Sequence, residues 1–317
     1  MEGDLKMDNS NSFTSASTFP SKLLHNEVIE DGKIIPIHLQ LIPTNRCNQN
    51  CSFCSCSDRR KELELSLEKM KGIVNTASQL GTKAITITGG GEPLMHKDLN
   101  EIIKYASELD IECGLTTNGY LLDRLEKHDN LTWCRISTSD EQKPAYDKIS
   151  RAINLNPETD WAFSYVLSRK PNYENLQNSI NFANKFNFSH FRLVSDLHDL
   201  DNVPPMEDVR NNLTETQKVI FQGRKDSVPG SPLCYLSLLK PLVAPEGIFP
   251  CCGAQYAKKG QDRDMIEEMS MGKIEDLADI ISNQKLFNGS FCDVCYYSGY
   301  NEALRKLKEA PKHRRFV

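Results

Sequence analysis

Three cysteines near the start of the chain have the residue type and the spacing for metal chemistry. Cys47, Cys51 and Cys54 stand in a CxxxCxxC pattern within one short segment. Thiolate is the soft ligand that iron–sulfur clusters take, and the short spacing lets one loop wrap around one cube. Three thiolates on a [4Fe–4S] cluster leave the fourth iron open to a small molecule. The pattern therefore predicts a cluster that takes part in a reaction as well as carrying electrons.

Zinc binding and disulfide pairing are two other uses of such cysteines. A tetrahedral zinc site takes four ligands, and no histidine lies close to this segment. Disulfide pairing is disfavoured because the chain has 11 cysteines, an odd number, and shows no secretory signal. A reducing compartment fits this cysteine usage, so we expect a cytoplasmic protein.

A glycine-rich segment follows the next predicted strand. Residues 84–88 are rich in β-branched side chains and run directly into the sequence GGGEP at residues 89–93. Glycines at the end of a strand let the backbone approach a ligand closely. Taken alone, this segment would be explained by an ordinary turn. Together with the cysteine pattern after the preceding strand, it predicts a ligand site.

With these two motifs the chain resembles the radical S-adenosylmethionine enzymes, from the cysteine loop to about residue 196. The resemblance implies that Cys47, Cys51 and Cys54 bind a [4Fe–4S] cluster whose open iron is chelated by S-adenosylmethionine. It implies a reductase such as flavodoxin or ferredoxin, and a 5′-deoxyadenosyl radical that abstracts a hydrogen atom from the substrate. The residues implied to contact S-adenosylmethionine are Phe53 near the adenine and, at the methionine end, Gly89, Gly90, Gly91 and Glu92.

The elements that must position these motifs alternate between strands and helices. Ser66 is suited to begin a helix with apolar residues at helical spacing, and Gly81 is suited to end it. Strands separated by helices pair in parallel through right-handed crossovers. Six such units predict an α/β fold, a partial (β/α)6 TIM-like barrel, with ligands bound at the carboxyl ends of its strands. The predicted strands span residues 36–42, 84–88, 111–116, 132–137, 161–167 and 190–194.

We expect three regions along the chain. Residues 1–21 are rich in Ser, Thr and Asn and form a disordered tail. Residues 22–226 form the barrel, and residues 227–317 form a small C-terminal auxiliary-cluster domain, which is described below. A charged helix over about residues 207–222 leads from the barrel into the last region.

Polar residues at the predicted strand ends are candidates for binding the cofactor or the substrate. Asn118 follows the third strand, Ser137 ends the fourth, Ser164 lies on the fifth and Arg192 on the sixth. The resemblance favours Ser137 as the contact of the cofactor's ribose. An ordinary turn residue or a satisfied polar side chain is the alternative for each of them.

Five further cysteines lie in the last third of the chain. Gly247 would turn a hairpin ahead of Cys251 and Cys252, and a CxxC pair follows downstream. This layout resembles the twitch domain, a short relative of the SPASM domain that holds an auxiliary [4Fe–4S] cluster. The family places one ligand five positions after the hairpin glycine, which implies the ligand set Cys234, Cys252, Cys292 and Cys295. A Cys251 ligand in place of Cys252, and structural zinc in place of the cluster, stay open.

Two cysteines outside the predicted ligand sets are candidate catalytic thiols. Related enzymes that have an auxiliary cluster return a hydrogen atom to the substrate from a cysteine. By this resemblance Cys251 is the first candidate and Cys134 the second. An inert buried thiol is the alternative for both.

Composition and resemblance together limit the function. A net charge of −5 provides no general attraction to nucleic acid, and no apolar run is long enough to span a membrane. The resemblance implies oxidation or epimerisation of a peptide or a small sugar-like substrate in natural-product biosynthesis. The alternatives are a maturase that forms thioether or other crosslinks in a ribosomal peptide, and a non-catalytic iron–sulfur or zinc protein.

Overall fold

The fold of this chain is built on a sheet of mostly parallel strands. The computed structural model describes residues 19–57, 59–223, 228–256 and 267–309. Its strands are β1 (Ile29–Glu30), β2 (Lys33–Ile34), β3 (His38–Leu41), β4 (Ala84–Ile87), β5 (Glu112–Thr117), β6 (Leu131–Ser139), β7 (Asp160–Leu167), β8 (His190–Ser195), β9 (Val219–Gln222), β10 (Leu242–Ala244) and β11 (Gly247–Phe249). Its helices are α1 (Phe19–Leu24), α2 (Leu67–Gln79), α3 (Leu99–Glu108), α4 (Tyr146–Leu155), α5 (Tyr173–Lys185), α6 (Met206–Asn211), α7 (Leu236–Leu239), α8 (Leu277–Ser282) and α9 (Ser298–Lys308).

One sheet of nine strands spans the described residues, in the order β11-β10-β3-β4-β5-β6-β7-β8-β9. Neighbouring strands are parallel except in the β10–β11 hairpin. Strands β3 to β8 are the six predicted strands, and α2, α3, α4 and α5 supply crossovers between them. The predicted partial TIM-like barrel is confirmed, and β9 and β10 extend it at its two edges.

The crossover helices bury one apolar face each. In α2, the predicted cap Ser66 accepts a hydrogen bond from the backbone N–H of Lys69 at 3.2 Å. The buried residues of this helix recur at helical spacing and are Met70, Ile73, Val74 and Ala77. None of the helices in the described ranges has both the length and the apolar character needed to cross a bilayer.

Two predicted segments are corrected. The helix expected over about 207–222 ends at Asn211, and the segment Val219–Gln222 is a strand paired in parallel with β8. Three successive β-branched or aromatic residues at 219–221 suit a strand better than a helix. The tail expected over 1–21 is too long, because α1 begins at Phe19, whose ring lies 4.1 Å from that of Tyr300. Residues 1–18 lie outside the described part of the chain.

The C-terminal region joins the barrel through the main sheet. Strand β10 pairs with β3, with Val243 opposite Leu41. The predicted hairpin at Gly247 is present, and this glycine has φ +141°, in the region that favours residues without a side chain. The region expected as a separate domain therefore contributes two strands to the barrel's sheet. The expected boundary at 226/227 falls within residues 224–227, outside the described part of the chain.

Candidate functional site

A cavity of about 350 Å³ lies at the carboxyl ends of the barrel strands, and we call it the first cavity. The thiols Cys47, Cys51 and Cys54 line it. The residues that the sequence predicted as contacts of the cofactor or substrate line the same cavity; they are Phe53, Gly89, Gly90, Gly91, Glu92, Asn118, Ser137, Ser164 and Arg192. The fold thus brings residues from the cysteine loop and from the ends of β4 to β8 to one place.

Each of the three early thiols accepts a hydrogen bond from an N–H group. The donors are Gln49 N to Cys47 at 3.4 Å, Gln142 Nε2 to Cys51 at 2.8 Å, and Cys56 N to Cys54 at 3.4 Å. Burial raises the pKa of Cys47 and raises the pKa of Cys51 to about 11, while the Gln49 and Gln142 donors act in the opposite direction. Such N–H···S bonds are one means by which proteins set the reduction potential of iron–sulfur clusters.

The glycine motif packs against the residues that lead into the cysteine loop. Gly91 N donates to Thr44 O at 3.0 Å, and Glu92 N donates to Arg46 O at 2.8 Å. A Cβ atom at Gly91 would lie 2.0 Å from Arg46 O. Glycine is required at this position because two backbone segments touch, which fixes the start of the cysteine loop.

Replacement of Gly91 by alanine should therefore disturb this contact. We expect Gly91→Ala to lower the free energy of unfolding by about 1–3 kcal/mol, the usual cost of overpacking. Gly72→Ala in α2 is the control, because nothing lies within 4 Å of its Cβ position; it should gain roughly 0.5–1 kcal/mol by removing a glycine from a helix. Chemical denaturation of both variants measures the difference. Equal stability of the two variants would contradict the packing argument.

Glu92 connects the glycine motif to the end of β5. Its carboxylate accepts hydrogen bonds from Thr117 Oγ1 at 2.6 Å, from Asn118 N at 2.7 Å and from Leu94 N at 3.1 Å. Burial raises the pKa of this carboxyl group, and the three donors oppose that shift. These contacts assign Glu92 a positioning role in the wall of the first cavity. Its contact with the methionine end of a cofactor stays a prediction.

A polar row crosses three neighbouring strands at one level of the barrel. Ser137 on β6 is opposite Ser164 on β7, which is opposite Arg192 on β8. Arg192 donates to Ser164 Oγ through Nη2 at 2.9 Å and through Nε at 3.3 Å. The row presents hydroxyl and guanidinium groups to the first cavity, on the side of the barrel where parallel strands bind a ligand.

Cys134, the second candidate catalytic thiol, lies in the core and outside the first cavity. Its side chain has no exposed area and belongs to the hydrophobic core. Arg135 and Ser137, which lie one and three positions later on the same strand, line the first cavity, whereas Cys134 does not. Successive residues of a strand face opposite sides of the sheet, so Cys134 faces away from the cavity.

A second, smaller cavity is lined by four of the five C-terminal cysteines: Cys234, Cys251, Cys292 and Cys295. Cys252 lines the first cavity instead. The set expected from the resemblance has Cys252 as the fourth ligand and Cys251 as the spare thiol, whereas the lining of the two cavities has them the other way round. Counting five positions from Gly247 selects Cys252, but the side chains of the two adjacent cysteines enter different cavities, so the identity of the fourth ligand stays a prediction. The alternative ligand set with Cys251, which the sequence left open, fits the structure.

Cys252 and Tyr297 form a pair at the boundary between the two cavities. Cys252 Sγ lies 3.0 Å from Tyr297 Oη. The backbone N–H of Cys252 donates to the buried Gln40 Oε1 at 3.3 Å, which helps to fix its position. Both residues of the pair line the first cavity, and Tyr297 also lines the second. A thiol is therefore held against the space where the candidate ligand-binding residues meet.

Several residues of the site were missed from the sequence. Gln142 lies in the loop after β6, Tyr297 lies just after the CxxC pair, and Arg135 lies on β6 inside the first cavity. None of them belongs to a spaced motif. Only the inward-facing position of Arg135, two residues before Ser137, offered a usable signal.

The donors present suit iron–sulfur groups. Among the described residues, no three His, Cys, Asp or Glu side chains stand close enough to hold a single metal ion, but the types of donor in each cavity fit a cluster. Three thiols that accept N–H bonds share the first cavity, and four thiols share the second. Sulfur donors in sets of three and four are the chemistry that such clusters require.

The barrel region of this chain is similar to known protein sequences. Residues 41–195 match the sequence model of the Radical SAM superfamily. Fe-coproporphyrin III synthase of Methanosarcina barkeri is 40% identical over 107 residues, covering 30% of this chain and 27% of that protein. GTP 3′,8-cyclase of Staphylococcus aureus is 28% identical over 212 residues, covering 62% of this chain and 57% of that protein. The chain thus spans from about a quarter to somewhat over half of the length of these relatives.

Solved structures share the fold at low sequence identity. Streptococcus suis SuiB bound to S-adenosylmethionine has a TM-score of 0.59 at 15% identity, covering 86% of this chain and 76% of that chain. SuiB bound to its precursor peptide SuiA has a TM-score of 0.60 at 14% identity, covering 92% and 76%. Native anSMEcpe with bound AdoMet has a TM-score of 0.55 at 14% identity, covering 81% and 83%. At this identity the similarity shows a common fold.

Proposed function

Because this chain carries a radical SAM domain over residues 41–195, we propose that it is a radical SAM enzyme. In our proposal it abstracts a hydrogen atom from a substrate C–H group and thereby oxidises or epimerises that substrate. The main support for the proposal is that Cys47, Cys51 and Cys54 line one cavity together with the glycine motif.

The cofactors of such a domain are a [4Fe–4S] cluster and S-adenosylmethionine. When bound, they supply a one-electron cleavage that yields a 5′-deoxyadenosyl radical. The three early thiols would hold the cluster, with Gln142 and the loop N–H groups orienting their sulfurs. The glycine backbone and the polar row of Ser137, Ser164 and Arg192 would bind S-adenosylmethionine. A flavodoxin or ferredoxin would deliver the electron.

An auxiliary [4Fe–4S] cluster at the second cavity completes the cofactor set that we propose. Its ligands would be Cys234, Cys251, Cys292 and Cys295, which line this cavity together. Four protein thiolates leave such a cluster without an open iron, so its use would be electron transfer rather than binding of substrate. Structural zinc is the competing occupant of four thiolates, and elemental analysis separates the two.

The substrate classes that we propose are a peptide and a small sugar-like molecule. The peptide is the first to test, because two of the solved structures that share this fold are described with peptides, SuiB with SuiA and anSMEcpe with Kp18Cys. Formation of a crosslink within a ribosomal peptide is an alternative outcome at the same site.

The Cys252–Tyr297 pair favours epimerisation over oxidation. In this version the bound cofactors would take one hydrogen atom from the substrate, and the carbon radical left behind would take one hydrogen atom from the S–H bond of Cys252. The new C–H bond forms on the opposite face of the carbon, and a thiyl radical is left on Cys252. One electron from the flavodoxin or ferredoxin and one proton return it to the thiol. Tyr297 holds the thiol in place through the contact of 3.0 Å.

Cleavage of S-adenosylmethionine tests the main proposal. Anaerobically reconstituted protein, reduced with dithionite, should convert S-adenosylmethionine to 5′-deoxyadenosine and methionine, both measured by liquid chromatography and mass spectrometry. A non-catalytic iron–sulfur or zinc protein would form neither product. Their absence from fully reconstituted protein would overturn the proposed function.

Solvent deuterium tests the role of Cys252 without knowledge of the substrate. In D2O the Cys252 thiol becomes S–D, and with no substrate bound it should quench part of the 5′-deoxyadenosyl radical. We expect wild-type protein to form singly deuterated 5′-deoxyadenosine, and Cys252→Ala to lose at least about half of that label while still cleaving S-adenosylmethionine.

The matched controls for this experiment are Cys56→Ala and Cys134→Ala. Cys56 also lines the first cavity, whereas Cys134 is buried in the core. Both variants should keep the deuterium label. Loss of the label in either control, with Cys252→Ala unchanged, would assign the hydrogen donor elsewhere.

A further inference from the structure

The tip of the β10–β11 hairpin reaches the cysteine loop of the barrel. Glu246 lies in the turn of this hairpin, far along the chain from the loop. Its Oε1 accepts a hydrogen bond from Asn45 Nδ2 at 2.6 Å, and its Oε2 accepts one from Arg59 Nη2 at 3.1 Å. One carboxylate therefore ties two points of the loop segment together.

The two partners of Glu246 flank the early thiols in the sequence. Asn45 precedes Cys47, and Arg59 follows Cys54. The Arg59 side chain is only 1% exposed and that of Glu246 is 19% exposed, so the ion pair is largely removed from water. When a buried pair loses one member, the remaining charge stays uncompensated.

Both partners also lie close to the glycine motif. A Cβ atom at Gly90 would lie 2.1 Å from Asn45 Oδ1 and 2.3 Å from Arg59 Nη1. Asn45 Nδ2 donates in addition to Arg60 O at 3.2 Å, so its orientation is set by two acceptors. The two side chains that Glu246 binds, Asn45 and Arg59, therefore contact the glycine motif as well.

The same hairpin leads directly into the second set of thiols. Strand β11 ends at Phe249, and Pro250 and Cys251 follow, both lining the second cavity. Glu246 therefore links a short hydrogen-bonded hairpin, which leads into the second thiol set, to the segment that carries the first.

We infer that Glu246 is a positioning residue that couples the two thiol sets, by holding the cysteine loop closed and by neutralising Arg59 beside it. The inference rests on the proposed function, since it assigns Glu246 an effect on the cluster held by Cys47, Cys51 and Cys54. Loss of the carboxylate charge leaves the Arg59 guanidinium uncompensated near this loop. An added positive charge favours the cluster state that carries one more electron, so the reduction potential should rise.

Redox titration of the full-length, anaerobically reconstituted holoenzyme tests the inference. The signal to follow by electron paramagnetic resonance is the one that changes when S-adenosylmethionine is added, because that response belongs to the cluster with the open iron. Glu246→Gln should move the midpoint potential of this signal to a more positive value. It should also weaken the binding of S-adenosylmethionine about 10-fold, as replacement of an outer-shell partner commonly does.

Two further variants separate charge from geometry. The double variant Glu246→Gln with Arg59→Gln removes both charges, and its potential should return toward that of the wild type. Glu275→Gln is the control, because Glu275 is exposed and lies in another part of the C-terminal region; it should change neither quantity. If Glu246→Gln takes up no iron, uptake restored by the double variant supports the inference, and failure of both variants contradicts the role of charge.

The outcomes for the two hypotheses are distinct. A wild-type protein without any signal that responds to S-adenosylmethionine would overturn the proposed function. A responsive wild-type signal whose potential and affinity are unchanged in Glu246→Gln would overturn the coupling role of Glu246 and leave the proposed function standing.

Discussion

Replacement of Cys51 by alanine is expected to abolish the cleavage of S-adenosylmethionine. Cys51 lines the first cavity with Cys47 and Cys54, and its sulfur accepts the 2.8 Å hydrogen bond from Gln142. With two thiolates in place of three, the loop cannot hold a [4Fe–4S] cluster that has one open iron. The loss of activity should exceed the roughly 10- to 100-fold effect typical of outer-shell replacements. Production of 5′-deoxyadenosine after dithionite reduction measures it.

Cys56→Ala is the matched control for this prediction. Cys56 lies two residues after Cys54 and lines the same cavity, and its backbone N–H donates to the Cys54 sulfur at 3.4 Å. Alanine keeps that N–H group, so we expect Cys56→Ala to retain most of its iron and most of its activity. Equal losses in the two variants would mean that the ligand set has been assigned wrongly.

Replacement of Cys251 by alanine is expected to remove one cluster and leave the other. Cys251 shares the second cavity with Cys234, Cys292 and Cys295. If each cavity holds one [4Fe–4S] cluster, iron content should fall from about eight to about four per chain. Cleavage of S-adenosylmethionine should persist, because the three early thiols are untouched. Anaerobic iron and sulfide analysis, with zinc determined on the same samples, measures the change.

The neighbouring variant Cys252→Ala provides the sharpest control. Cys252 lies in the first cavity beside Tyr297, so its replacement should leave the iron content at the wild-type value. The reverse pattern, with iron lost in Cys252→Ala and retained in Cys251→Ala, would restore the assignment made from the sequence. About one zinc per chain in the wild type, lost in Cys251→Ala, would replace the auxiliary cluster by a structural zinc site.

Much of the barrel could be predicted because its signals are local. Runs of β-branched residues, apolar residues at helical spacing and the cap at Ser66 depend on near neighbours in the chain. The error at 207–222 has the same origin. Charged residues at the start of this stretch suggested one long helix, whereas Val219–Gln222 adds to the sheet because β8 offers it a parallel partner.

The first cavity was also accessible from the sequence, for two physical reasons. The early thiols are close along the chain, so their spacing alone limits the group that they can hold. The polar row at Ser137, Ser164 and Arg192 lies on neighbouring parallel strands, whose carboxyl ends meet at one edge of any such barrel. Neither argument requires knowledge of side-chain packing.

The sequence by itself determined the metal chemistry, the barrel and the edge at which its motifs meet, because spacing and periodicity are properties of the chain. Only the tertiary structure decided that Cys251 enters the second cavity while Cys252 enters the first, and that Gln142 and Glu246 contact the cysteine loop. Adjacent side chains at the end of a hairpin are distinguished by what packs on either side of them. Those neighbours come from distant segments, and no spacing rule within the chain specifies their direction.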